Sequence, residues 1–220
     1  MRLYLAEPET TQKSVVNRQQ SSENESMASK LDLKKLRNLH RQFYLVIYGQ
    51  TDAEANAYAC GGGLDLGLNE LGIEEARKLS RRFKKNPLKI KKIYSSPELR
   101  AVQMADFLHD ELKGKLVLSR NFADQNLGEL EGAALEPGES ASLVYRDPIR
   151  GENEMHFSLR VREGLEAFMQ ETFLCVLVTH PRVGARILSW LGLEHETLER
   201  GKMYAVDLPA DQGVAHLREI

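Results

Sequence analysis

The sequence predicts an α/β fold, a three-layer arrangement in which helices flank a mostly parallel sheet of six strands. Three observations carry this expectation. Short apolar runs of strand length recur from Phe43 onward. Between them lie longer segments whose apolar residues return every three or four positions, the helical period. The chain has 220 residues, 42% of them hydrophobic, which is enough for one substantial core and short for two.

The strands are expected at 43–48, 89–94, 116–120, 174–179, 203–208 and 214–218. A first helix follows Asn69, whose short polar side chain suits an N-cap, and carries Ile73, Ala76, Leu79 and Phe83 on one face. Pro97 is expected in the first turn of a second helix, where a missing N–H costs nothing; its apolar face is Ala101, Ala105, Leu108 and Leu112. A third helix carries Val161, Leu165 and Phe168. The fourth starts near Pro181 and ends before Gly192, a residue suited to the left-handed turn that closes a helix. Residues 1–40 fall outside this pattern. Their polar run, Gln19–Ser26, buries too little apolar surface to offset the entropy of ordering, so they read as a partly disordered extension ahead of an α/β domain at 41–220.

Lys and Arg number 30 against 32 Asp and Glu, interspersed, for a formal net charge of −2. This balance offers no electrostatic case for nucleic acid. The local basic run Lys84, Lys85, Lys89, Lys91 and Lys92 reads as a solvated edge at a helix–strand junction. Two cysteines, Cys60 and Cys175, show no spacing for a disulfide framework or a zinc site. There is no signal-peptide pattern and no apolar stretch of about 18 residues or more that would span a bilayer. A cytoplasmic protein without membrane partners is expected.

Five blocks carry the chemical information. The first is the apolar run Phe43–Ile47 followed by Tyr48-Gly49-Gln50-Thr51. The second is Asp65-Leu66-Gly67-Leu68-Asn69 with Gly72, Glu75 and Ala76. The third is Ser95-Ser96-Pro97-Glu98-Leu99-Arg100-Ala101. The fourth is Gly128-Glu129-Leu130-Glu131-Gly132, and the fifth is the strand Val176–Thr179 with His180. In this order they resemble the histidine phosphatase superfamily, the phosphoglycerate-mutase-like proteins, and the resemblance covers nearly all of the chain after residue 42. The third block matches the family's Ser-Ser-Pro-x-x-Arg-Ala closely. The first departs from its Arg-His-Gly-Glu/Gln-Thr, because Ile47 stands in the Arg position and Tyr48 in that of the nucleophilic His.

The resemblance implies a phosphoglycerate-mutase-like fold and a phosphohistidine mechanism that needs no metal or cofactor. It implies that Arg100 clamps phosphate, that His180 hydrogen-bonds the phosphoryl group, and that Thr51 belongs to the phosphate-binding set. Pro181 and Arg182 replace the usual Gly-Gly after that His. Pro181 can start the helix, and Arg182 can bring a new charge to the pocket. Asp124 stands where the family often has the acid for the leaving group; a turn carboxylate accepting backbone hydrogen bonds explains it equally. Glu129 and Glu131 are weaker acid candidates, at positions that usually serve the loop. Glu54 replaces an expected Asn, and its charge would repel phosphate. The family's Gly-Glu-Ser corresponds to Gly138-Glu139-Ser140 or to Gly151-Glu152-Asn153, and the spacing to Arg160 favours the second.

A phenol of ordinary pKa about 10 is ionised to about one part in a thousand at pH 7, a handicap of about 4 kcal/mol against neutral imidazole. The clamp lost at Ile47 adds to it, since phosphoryl transfer depends on stabilising the equatorial oxygens. The expected protein is therefore catalytically impaired or inactive, with a remnant anion pocket for a phosphorylated small molecule or phosphoprotein. Two alternatives stand beside it: a weak phosphomonoesterase with Tyr48 or His180 as nucleophile and Asp124 as acid, and a purely structural interaction domain.

Overall fold

The computed structural model describes residues 42–85, 88–136, 147–193, 197–208 and 215–220. The expected extension at 1–40 and the Gly138–Ser140 alternative lie outside the described residues.

Six strands form one sheet: β1 (Gln42–Ile47), β2 (Lys92–Ser95), β3 (Lys115–Leu118), β4 (Cys175–Thr179), β5 (Met203–Asp207) and β6 (His216–Glu219). Their spatial order is β3-β2-β4-β1-β5-β6. The first four in that order pair in parallel, while β1–β5 and β5–β6 are antiparallel, so the sheet is mixed with a parallel centre. The helices are α1 (Asp52–Ala55), α2 (Glu70–Lys85), α3 (Leu99–Leu112), α4 (Glu154–Phe168) and α5 (Pro181–Trp190).

Three local differences from the expected elements have local causes. The second strand starts at Lys92 rather than 89, because the Ile90 N–H turns back onto the Leu88 carbonyl (2.9 Å). The third stops at Leu118, where Arg120–Phe122 winds into a 3₁₀ turn. Pro97 lies just before the α3 N-cap, Glu98, instead of inside the first turn. Asn69 does cap α2, accepting from the Gly72 N–H (3.0 Å). Gly192 closes α5 with φ +73°.

Alternation along β1 sets the two faces of the sheet. Tyr44, Val46 and Tyr48 pack into a core with Ala76, Leu79 and Phe83 of α2 and Ala101, Met104 and Leu108 of α3. On the opposite face Phe43 meets Phe168 of α4 edge-on, with ring centroids 5.2 Å apart. There α5 comes close through Gly184, where a Cβ would lie 3.3 Å from Leu45 Cδ2 and from Ile47 Cδ1 and 2.5 Å from Leu198 Cδ1. Each large side chain buried this way contributes about 1.5–3 kcal/mol. The parallel centre brings the carboxyl ends of β1, β2 and β4 to one edge, where open α/β sheets bind their ligands. Tyr48, Ser96 and His180 follow those ends. Among the described residues no helix is long and apolar enough to cross a membrane.

Candidate functional site

His180 leaves β4 as the N-cap of α5, with Pro181 at the first helical position. The ring is fully buried. Its Nε2 lies 2.8 Å from Ser96 Oγ and 3.3 Å from Glu98 Oε2. The Ser96 hydroxyl donates to Glu98 in a short hydrogen bond. With the one hydroxyl proton spent there, the Nε2–Ser96 contact requires the hydrogen on Nε2. The other nitrogen, Nδ1, is 3.5 Å from Asp124 Oδ2 and has no hydrogen-bond partner among the described residues.

Glu98 organises this end of the sheet. It precedes α3 with extended backbone (φ −65°, ψ 141°) and does not cap the helix with its side chain. The carboxylate turns inward instead, and also accepts the Asp124 N–H (2.9 Å). Burial alone would raise its pKa, but the hydrogen bond and charge of His180, with Ser96, hold it at about 2. The amide end of α3 already has an anion, since the Leu99 N–H donates to Asp65 Oδ1 (2.6 Å).

Arg100, one helical residue later, is fully buried. Its Nη1 donates to the Leu64 carbonyl (3.1 Å) and its Nη2 to that of Gly61 (3.0 Å). Those carbonyls belong to a loop that Glu131 holds by accepting from the Gly61, Gly63 and Leu127 N–H groups (2.7, 2.8 and 2.9 Å). Nη2 lies 3.8 Å from Asp124 Oδ2, and Nε is buried without a partner among the described residues. Burial works against the charge; Tyr48 and the carboxylates of Asp124 and Glu98 outweigh it and raise the pKa.

Asp124 is the carboxylate on which the basic side chains converge. Besides Arg100 and His180, Arg182 Nη1 lies 3.7 Å from its Oδ1. Its Oδ1 also accepts the Gln125 N–H (2.9 Å), the turn role weighed for it. Arg182 sits on the second residue of α5, the helix that covers Ile47. A guanidinium thus reaches the site from that helix, while position 47 carries none.

Tyr48 fills the centre. It is 1% exposed, its ring is edge-on to His180 (5.2 Å between centroids), and the Arg100 guanidinium carbon lies 5.1 Å from its centroid. Burial, only partly countered by Arg200 and Arg100, pushes its pKa up to about 12. About one phenol in 100,000 is then ionised at pH 7, so Tyr48 is a worse nucleophile than an exposed tyrosine. Thr51, expected to bind phosphate, is spent elsewhere: it caps α1 in a capping box, accepting from Ala53 N–H (3.2 Å) and donating to Glu54 (2.6 Å). Glu152 and Arg160 form a bidentate pair (2.9 and 2.6 Å), an architectural role for the block at 151–153.

Three residues of this site are outside the sequence-level candidates. Ser96 and Glu98 lay within a recognised block without a role attached. Arg200 lies in the turn before β5, where only its position beside a glycine was available as a signal. Its guanidinium carbon is 5.5 Å from the Tyr48 ring centroid, and its Nη2 lies 2.9 Å from Glu54 Oε1. Among the described residues no group of His, Cys, Asp and Glu could hold a metal ion.

Residues 43–208 match the model of the histidine phosphatase superfamily, branch 1. The chain belongs to that superfamily. It is 32% identical over 136 residues to a Hydrogenobacter thermophilus protein named "Putative phosphoserine phosphatase 2", a match covering 57% of this chain and 66% of that protein's length. A phosphoglycerate mutase from Thermus thermophilus superposes with TM-score 0.61 at 28% identity, covering 76% of this chain and 94% of its own. A structure called mycobacterial hydrolase 1 gives TM-score 0.67 over 82% of this chain and 97% of its own; at 19% identity it speaks to the fold alone.

Proposed function

We propose that this chain is a superfamily member that has lost the phosphohistidine mechanism and binds the phosphate group of a phosphorylated ligand or partner. The observation that carries this reading is the pairing of an unusable nucleophile with surviving cations. Tyr48 is buried and held neutral, while Arg100 Nε and Arg182 Nη1 are buried without hydrogen-bond partners among the described residues, beside Asp124. Buried donors of this kind are costly unless something accepts from them, and a phosphate oxygen is a suitable acceptor. A second reading has one specific observation in its favour: His180 Nδ1, 3.5 Å from Asp124, has the placement of a replacement nucleophile beside an acid.

The test is a pair of assays on the purified protein. We expect inorganic phosphate at millimolar concentration to raise the melting temperature, and Arg182→Ala to abolish the shift. Aryl-phosphate hydrolysis should stay at background, with His180→Ala as the control. Hydrolysis that vanishes in His180→Ala would install the second reading, and the absence of any phosphate effect would leave a structural domain.

A further inference from the structure

The turn Arg200–Gly201 is fixed to the end of β1. The Gly201 N–H donates to the carbonyls of both Ile47 (3.1 Å) and Tyr48 (3.0 Å), the two altered positions of the first block. Its φ of +69° suits glycine, and a Cβ there would lie 2.9 Å from Glu75 Cβ. The preceding residue, Arg200, is therefore delivered to Tyr48 by the backbone, independently of its own side-chain contacts. Its guanidinium reaches the same phenol ring as that of Arg100.

Arg200 differs from Arg100 in what holds it. Arg100 is fully buried and anchored by two backbone carbonyls. The Arg200 side chain is 36% exposed, and its ion-pair partner among the described residues is one carboxylate oxygen, Glu54 Oε1, at 2.9 Å, beside a side-chain hydrogen bond with Tyr48. Its Nε is buried with no partner among the described residues. Glu54 divides its oxygens: Oε2 accepts from the Thr51 N–H (2.8 Å) and hydroxyl (2.6 Å), and Oε1 faces Arg200 and the Tyr48 hydroxyl (3.3 Å). Only Oε1 has to be displaced for Arg200 to take another anion, and the α1 cap survives that exchange.

We propose that Arg200 is an anion-binding residue of this site, supplying from the β5 side the guanidinium that position 47 lacks, and that the Glu54 carboxylate is its built-in competitor. This rests on the phosphate-binding reading above and adds to it the group that gates entry. The ligand class is a phosphate monoester or inorganic phosphate, whose oxygens accept from a guanidinium fork as the Glu54 carboxylate does. A ligand that reaches Arg200 must outbid Glu54, so the site is held back until the local phosphate concentration is high enough.

The experiment is calorimetric titration of the full chain with inorganic phosphate at fixed ionic strength. Wild type is compared with Arg200→Ala, Arg200→Lys and Glu54→Gln, and sodium chloride serves as the non-specific control. Arg200→Ala should weaken phosphate binding about tenfold or more, the worth of a charge-assisted hydrogen bond. Arg200→Lys, a charge without the fork, should fall between. Glu54→Gln should bind about fivefold more tightly or better, since a neutral amide competes less well for the guanidinium. Equal affinity in wild type, Arg200→Ala and Glu54→Gln overturns the proposal, and if Arg182→Ala still abolishes binding, the phosphate-site reading stands without it. Should wild type bind nothing, phosphate binding that appears in Glu54→Gln and disappears in Glu54→Gln with Arg200→Ala supports the proposal; none in either overturns it. If Arg200→Ala does not fold, Arg200→Lys and Glu54→Gln decide.

Discussion

The strand ends that meet at this site hold their side chains to different degrees. At the ends of β2 and β4, Ser96, Glu98, Arg100 and His180 are each committed to one another or to a backbone group, and all are buried. At the end of β1 the backbone is held as firmly, through the Gly201 N–H, but the side chains make few directed contacts. Ile47 is apolar, and the Tyr48 hydroxyl reaches Glu54 only at 3.3 Å. The difference separates charges that also hold structure from side chains that mainly fill space. The charges at the β2–β4 end also hold structure together, so removing one leaves buried partners exposed to a full desolvation cost. At the β1 end the Tyr48 ring fills the centre of the site, buried against His180 and Arg100.

The comparison is broken most directly at Arg100. Arg100→Ala leaves the Gly61 and Leu64 carbonyls without their donor and the Asp124 carboxylate without one of its cations. The expected loss is about 3–5 kcal/mol in denaturant unfolding. A loss below about 1 kcal/mol would mean that the buried guanidinium serves a ligand and not the fold, and the contrast between the two ends would disappear.

Glu98 sharpens it through pH. Its carboxyl titrates at about 2 in the folded protein against an ordinary 4.5. The ionised form therefore contributes its stability in full above about pH 4.5 and loses it as pH falls from there towards 2. The shift corresponds to about 3 kcal/mol at most. Glu98→Gln should be less stable than wild type at pH 7, and its stability should fall less steeply between pH 4.5 and 3. Parallel pH profiles for the two proteins would remove the Glu98–His180 coupling from the account.

The sheet was legible because β1 and β4 are buried runs of Phe, Tyr, Leu, Val and Ile, and because α2 and α5 carry their own stop and start residues, Asn69, Pro181 and Gly192. Arg100, His180 and Asp124 were legible as three separated blocks, and the fold brings the first two within 3.8 and 3.5 Å of the third. Glu98 was not, since its inward turn depends on extended backbone one residue after Pro97, which a helix starting at Pro97 would have forbidden. Arg200 belongs to no block and no period; its place depends on a long-range contact between the Gly201 turn and β1. Thr51 was readable, and so was a second role for it: Thr51-x-x-Glu54 is the pattern of a capping box, and the hydroxyl is engaged there.

The smallest expected effect is at Tyr48. Tyr48→Phe removes one hydroxyl whose contact with Glu54 is long, and keeps the ring that meets His180, Arg100 and Arg200. Stability should change by no more than about 1 kcal/mol, because only a weak hydrogen bond is lost and the shape is conserved. Tyr48→Ala should cost about 3–5 kcal/mol, as for other large aromatic side chains cut from a core. That pattern identifies Tyr48 as packing. If Tyr48→Phe instead abolishes a measurable aryl-phosphate hydrolysis, the phenol takes part in the reaction despite its pKa of about 12, and the β1 end has kept a chemistry of its own.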